Sequence, residues 1–241
     1  DRVTAHLPYF QLYDPYVTDD ARVRDLMSHR IGLGTYSGDL LWYGTPYSRE
    51  EVVRRARYLK PVGPFRARYG YQNVMFIAAG EAVTRASGLT WDDFLAKRIF
   101  GPLGMTETVT TVSALKTKTN VASPHARLGG QWRKFPWANW DTMAAAGGVI
   151  SSATDMAKWI RLQLGGGAVD GTRVFSQAAQ EVMWTPHTPR AVGAENRQRF
   201  PTTHFRSYGW GWNLWDYRGR RVVDHGGAYD GVLSHVALVT E

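Results

Sequence analysis

Tyr208-Gly209-Trp210-Gly211-Trp212-Asn213-Leu214 sets large side chains against small or polar ones at every second position. That is the period of a half-buried strand, because successive side chains of an extended chain point to opposite faces. Tyr217-Arg218-Gly219-Arg220 then reads as a turn, Arg221 to Asp224 as a returning strand, and Val232 to Val239 as a third. Upstream the period is helical. Ser48 and Glu51 form a capping box ahead of Val52, Ala56 and Leu59. Val74, Ile77, Ala78 and Val83 mark a helix over residues 72–87 that Gly88 stops. Thr90, Ser152 (or Thr154) and Ser176 cap helices that run to about Ile99, Leu164 and Trp184. A short helix is expected from Asp1 to His6, and Asp20 is expected to cap another from Ala21 to His29. Residues 101–143 show little periodicity and read as an irregular excursion. Helices first and antiparallel strands last argue an α+β fold rather than alternating βαβ units. The expected arrangement is one domain over 1–241, with a mainly helical lobe in 1–205 and the strands in 206–241.

Composition narrows the functional classes. The 241 residues are 44% hydrophobic and 21% charged, which suits a folded globular chain and excludes fibrous or disordered classes. No run approaches the 18 or so apolar residues of a membrane span. Asp1-Arg2-Val3-Thr4 carries no signal-peptide pattern. Cysteine is absent, which removes disulfides, thiolate metal sites and thiol nucleophiles. The net charge of +8 comes from arginines scattered in pairs, as at Arg54-Arg55 and Arg220-Arg221, with no block of five like charges. This reads as a solvated surface rather than a nucleic-acid site. The phosphate loop, the H-E-x-x-H zinc motif and the G-x-S-x-G elbow are missing, and the seven histidines lack zinc-ligand spacing. No metal and no cofactor are expected. Ser113-Ala114-Leu115-Lys116 matches S-x-x-K in letters, but it sits in a Thr- and Lys-rich stretch and reads as coincidence.

Three separated segments carry chemistry. The first is Arg24-Asp25-Leu26-Met27-Ser28-His29-Arg30-Ile31-Gly32-Leu33. The second is Phe65-Arg66-Ala67-Arg68-Tyr69-Gly70-Tyr71-Gln72-Asn73, with Pro102-Leu103-Gly104-Met105 after it. The third joins Ala146-Gly147-Gly148-Val149-Ile150-Ser151-Ser152 to Asp224-His225-Gly226-Gly227. A Tyr just ahead of a helix and two residues from an Asn can place a phenol and an amide in one cleft. A phenol of pKa near 10 serves as a base only where cations lower that value. His225 offers a donor, and the glycines after it let a substrate backbone lie close.

In this order the segments resemble the serine beta-lactamase-like hydrolases: class C beta-lactamases, D-alanyl-D-alanine carboxypeptidases, and their esterase and D-aminopeptidase relatives. The resemblance covers nearly the whole chain. It implies a beta-lactamase/transpeptidase-like fold, a helical lobe plus part of an antiparallel sheet flanked by helices. It implies acyl transfer through an acyl-enzyme, on a small-molecule or peptide substrate with an ester, amide or beta-lactam carbonyl. Carried over, Tyr71 is the base or proton relay, Asn73 the orienting amide, and His225 stands where lactamases usually have Lys. Gly226 and Gly227 complete that element, and the backbone N–H of Ala228 is half of an oxyanion hole. The family's S-x-x-K helix lies upstream of the segment that residues 1–8 resemble, so the nucleophile is expected outside this chain, with strands and a helix beyond Glu241. On that reading the chain alone is inactive and aggregation-prone, with the sheet face of Trp210, Trp212 and Val236 uncovered. The alternative is a non-catalytic penicillin-binding-like scaffold of the same fold. Family resemblance implies a periplasmic or secreted protein and allows an oligomer.

Overall fold

The computed structural model describes residues 1–240. Its helical part contains α1 (Val3–His6), α2 (Pro15–Asp20), α3 (Val23–Met27), α4 (Arg49–Arg55), α5 (Asn73–Ser87), α6 (Trp91–Leu95) and α7 (Gly101–Leu103). A π turn, Ala96–Phe100, joins α6 to α7. A hairpin of β1 (His125–Leu128) and β2 (Gln131–Lys134) follows, then α8 (Ala144–Gly147) and α9 (Ala153–Leu164). The chain continues through β3 (Ala168–Val169), β4 (Thr172–Arg173), α10 (Gln177–Met183), β5 (Thr188–Arg190) and α11 (Ala194–Arg199). It ends in β6 (Arg206–Tyr208), β7 (Asn213–Tyr217), β8 (Arg220–Tyr229) and β9 (Val232–Thr240).

α5 is the hub of the helical lobe. Val74, Met75, Ile77 and Ala78 are at most 1% exposed, and they pack with Val52 and Val53 of α4, Leu26 of α3 and Val3 of α1. Truncating such a side chain costs about 2–5 kcal/mol, because a cavity adds to the lost transfer energy. Gly88 closes α5 at φ 69°, a left-handed conformation that glycine adopts without a Cβ penalty. The caps read from sequence are made: Ser48, Thr90, Ser152 and Ser176 accept from the N–H of Glu51, Asp93, Asp155 and Ala179. Asp20 does not cap. It ends α2 and receives Arg66 at 2.6 Å, while Asp25 takes the Arg22 N–H at 3.0 Å and so starts the shorter α3. The excursion over 101–143 is not wholly irregular either. Gly129 and Gly130, both at positive φ, turn the β1–β2 hairpin.

The five-stranded sheet is an antiparallel meander, β5-β6-β7-β8-β9. It takes its first strand from Thr188–Arg190, earlier in the chain than the 206 boundary expected. The stretch 208–214 is not one strand. Gly209 N–H bonds Trp212 O at 2.8 Å, Gly211 sits at φ 76°, and the chain reverses between β6 and β7. A Cβ on Gly209 would lie 2.1 Å from Met183 O, so the glycines mark close packing and reversal rather than the polar side of a strand. Asn213 to Tyr217, not Tyr208, therefore pairs with Arg220 to Asp224. The Arg218-Gly219 turn forms as read, with both φ positive, and β9 joins β8 from Tyr229↔Val232 to Arg221↔Thr240.

The sheet face carrying Trp212 is covered, contrary to expectation. Trp212, Leu214, Val223 and Leu238 pack on Trp159 and Ile160 of α9 and on Met183 and Trp184 at the end of α10, with Val236 against the same cluster. Trp210 leaves that face and stacks on His187 with ring centroids 5.4 Å apart. The opposite face is open in part: Phe200 shields Trp215, but Leu233 and Val239 of β9 are 84% and 59% exposed. The α+β architecture read from the sequence stands, with a layer of helices over one face of the sheet.

Candidate active site

The helical wall of the site begins with a loop laced to its neighbour. Arg66 N–H bonds Arg30 O, Gly70 N–H bonds His29 O, and Tyr36 N–H bonds Tyr71 O at 2.7 Å. Gln72 donates its N–H to His29 Nδ1 at 3.1 Å and its side-chain amide to Leu33 O at 2.7 Å. A Cβ on Gly70 would stand 2.2 Å from Leu33 O, so only glycine lets the two segments lie this close. Asp25, wholly buried, ties the same segments by accepting from Arg30 at 2.6 Å and Arg66 at 2.7 Å. Burial alone would raise its pKa, but bonds from Arg66, the Arg22 N–H and Arg30 outweigh that and hold it below the usual carboxylate range.

This lacing delivers Tyr71 to the cleft and places Asn73 in the first turn of α5. Asn73 Nδ2 donates to Asp39 Oδ2 at 3.0 Å, and Trp42 Nε1 donates to Asp39 Oδ1 at 3.1 Å. A carboxylate only accepts, so Asp39 fixes which end of the Asn73 amide faces it. Asp39 itself is pushed up by burial, with the Asn73 and Trp42 bonds opposing.

The sheet wall comes from β8. His225 Nε2 lies 3.0 Å from the Tyr208 hydroxyl, and its ring centroid is 6.1 Å from that of Tyr71. Burial keeps Tyr208 a phenol far above pH 7, and burial lowers His225 so that its neutral form prevails. Gly226, Gly227 and Ala228 continue along the same cleft, whose volume is about 1730 Å³. Tyr71, Asn73, His225, Gly226, Gly227 and Ala228 thus all line one cavity. A smaller hollow of about 350 Å³ near Trp215 and Arg206 is separate from them.

Sequence reading missed the residues behind this wall. His29 is 1% exposed and sits among Tyr69, Tyr71, Phe76 and Tyr208, at centroid distances of 4.3 to 5.5 Å. Burial, with His225 and Arg190 nearby, brings its pKa down to about 3, so it is a neutral spacer between Tyr71 and Tyr208. It lies in the stretch Arg24 to Leu33, but no local pattern says which rings surround it. Arg190 of β5 lies 4.3 Å over the Tyr69 ring and donates to Asn213, again a pairing across the chain.

Electrostatics restrict the chemistry. Tyr71 is pushed up to about 12 by burial and by Tyr69, Tyr36 and Asp39, so it holds its proton at neutral pH. It becomes a base only when a cation is brought beside it. Ser113 and Lys116 are not placed at this site. Ser113 is exposed in a 3₁₀ turn and donates to Thr111 Oγ1 at 3.1 Å, and neither it nor Lys116 lines the cleft.

With these motifs in one cleft, comparison with known proteins is decisive for the family. A model of the Beta-lactamase family matches residues 1–240, and the chain belongs to that family. It is 29% identical over 238 residues to the unguisins hydrolase ungD' of Aspergillus campestris, covering 95% of this chain and 42% of that protein. It is 29% identical over 247 residues to penicillin-binding protein 4 of Amycolatopsis lactamdurans, covering 99% of this chain and 61% of that one. Among solved structures, the octameric penicillin-binding protein homologue from Pyrococcus abyssi superposes with a TM-score of 0.79 at 19% identity. That match covers 99% of this chain and 55% of the homologue, and it shows a shared fold. The chain spans about half the length of the curated relatives it matches.

Proposed function

We propose that this chain supplies the Tyr-x-Asn and His-Gly-Gly elements of an acyl-transfer hydrolase for ester, amide or lactam carbonyls, with its Ser and Lys pair lying outside residues 1–241. The observation that carries this reading is the approach of Tyr71 and His225 to 6.1 Å across one cleft, from opposite lobes of the fold. In the reaction the Ser oxygen bonds the carbonyl carbon, and the oxyanion accepts from the Ala228 N–H and a second donor. The bond to the leaving group then breaks. The Ser hydroxyl proton moves to the Tyr71 oxygen as the Ser–carbon bond forms, while the phenolic proton of Tyr71 passes to the leaving group as its bond breaks, which makes Tyr71 a relay rather than a standing base. Asn73, locked by Asp39, orients the substrate carbonyl, and neutral His225 donates to the substrate. Water then releases the acyl group by the reverse relay.

The test compares this chain with a version extended to include the upstream Ser and Lys, using a p-nitrophenyl ester. The extended protein is expected to show a nitrophenolate burst followed by turnover, the signature of an acyl-enzyme. Tyr71→Phe is expected to lower that turnover by about 10²-fold or more. Turnover by residues 1–241 alone that depends on Tyr71 would overturn the placement of the nucleophile. A non-catalytic scaffold is the second reading, favoured by the raised pKa of Tyr71. An extended protein that binds the ester with neither burst nor turnover establishes it.

A further inference from the structure

Along β8 the side chains of His225, Gly227 and Tyr229 face the same way, because extended residues alternate. Tyr229 lies four residues beyond His225, roughly 13 Å at about 3.3 Å per residue. Rings from two other segments meet it there. The Trp140 and Tyr229 rings meet with centroids 3.9 Å apart at a tilt of 35°, and Trp137 lies 5.5 Å from Tyr229. Trp42 is 5.2 Å from Trp140, and Tyr43 is 5.8 Å from both. All five line the cleft that holds Tyr71 and His225.

This wall is pinned. The Tyr229 hydroxyl donates to Ala138 O and accepts the Trp140 N–H at 3.0 Å. Tyr43 donates to Asp230 at 3.0 Å, Trp137 Nε1 to Ala122 O at 3.2 Å, and Trp42 Nε1 to Asp39. Those bonds occupy the polar ends of four rings and leave carbon surface toward the cleft. Trp42 is the buried backing, and Tyr43, 46% exposed, forms the mouth.

We infer that this wall is a substrate subsite for an aromatic side chain, set along β8 about four strand residues from His225, which with Tyr71 flanks the reacting carbonyl. The inference rests on the acyl-transfer reading for the position of that carbonyl. A planar apolar ring gains offset or edge-on contact with several rings at once, which an aliphatic group of similar polarity does not. The charges at the wall are carboxylates, Asp230 on the Tyr43 hydroxyl and Asp39 on the Trp42 indole, so an anionic ligand is disfavoured and the class is an uncharged or cationic amide or ester carrying an aromatic residue.

The experiment is calorimetric titration of the full chain with N-acetylphenylalaninamide and N-acetylleucinamide. The phenyl ligand is expected to bind about tenfold tighter. Tyr43→Ala, a change at an exposed position, is expected to cut that preference to threefold or less. Trp132→Ser, which removes a 73% exposed indole on the β1–β2 hairpin outside the cleft, is expected to keep it. Equal affinities in the unmodified chain, an unchanged preference in Tyr43→Ala, or equal losses in both variants overturn the subsite. Binding is read without turnover, so a ring preference in a protein that forms no acyl-enzyme overturns the reaction and leaves a binding site. Turnover without a ring preference overturns the subsite alone.

Discussion

The two walls of the cleft are built by opposite means. On the helical side, Tyr71 and Asn73 are side chains held by other side chains: Gln72 on His29, Asn73 on Asp39, Asp25 on two arginines. On the sheet side, Gly226, Gly227 and Ala228 offer backbone, and β8–β9 pairing sets its position. The difference teaches where each wall is vulnerable. A wall of buried polar bonds fails when one partner is removed. A wall of backbone fails when register is lost, and a side chain added on its cleft face takes substrate space while leaving the fold in place.

The largest expected effect tests the first half of that contrast. Asp25→Ala leaves Arg30 and Arg66 without their buried partner and should cost about 3–5 kcal/mol in urea denaturation. The Asp25 pKa is depressed in the folded state, so its contribution is full above the ordinary carboxylate value and fades as pH falls through the folded one. The variant's acid limb should therefore be flatter, and an unchanged limb breaks the account of this wall. Next comes His29→Phe, which orphans the buried Gln72 N–H and should cost about 1–3 kcal/mol at pH 7.5. The unfolded histidine takes a proton near pH 6.5, whereas the folded one stays neutral to about 3. Parent stability thus declines between those values as pH falls. The variant lacks that decline, so the gap between the two should narrow toward pH 4. Circular dichroism melts across this range decide it.

Asp39→Asn is milder. An amide presents a donor to one of the two groups that now donate to the carboxylate, so the Asn73 orientation loosens. Acyl-enzyme formation in the extended protein should slow about tenfold with the fold intact, and an unchanged rate would remove Asp39 as a positioning residue. The smallest effects sharpen the sheet side. A Cβ on Gly226 meets nothing nearer than 3.8 Å, and one on Gly227 meets the movable Ser234 Oγ at 2.3 Å. Either alanine should change stability by less than about 1 kcal/mol. Gly227 shares the His225 face, so its methyl should raise KM, while Gly226→Ala should leave KM unchanged.

Much of this was legible in the chain. The helix caps depend on neighbours three residues away, so Ser48, Thr90, Ser152 and Ser176 declare themselves. The convergence of Tyr71, Asn73 and His225 was legible only through the order of motifs. The strand over 208–214 misled because glycine alternates with tryptophan there for two unrelated reasons, packing on Met183 at Gly209 and a positive φ at Gly211. The cover over Trp212 was missed because α9 and α10 reach it from about 30 to 50 residues upstream, and no local period encodes that docking. Asp39, His29 and Tyr208 escaped for the same reason: each acquires its role from a partner in another segment.

One consequence of the two-walled cleft concerns synthesis. Tyr71 and Asn73 leave a ribosome long before His225 does, by roughly 8–30 s at about 5–20 residues per second. Through that interval the helical lobe can fold around α5, but no nascent form has both sides of the site. The β8 segment that completes the cleft also brings Val223 into the packing under α9 and α10. The emerging polypeptide therefore cannot bring Tyr71, Asn73 and His225 together before the core of its sheet is in place, and a closed cleft becomes a late report on a finished fold.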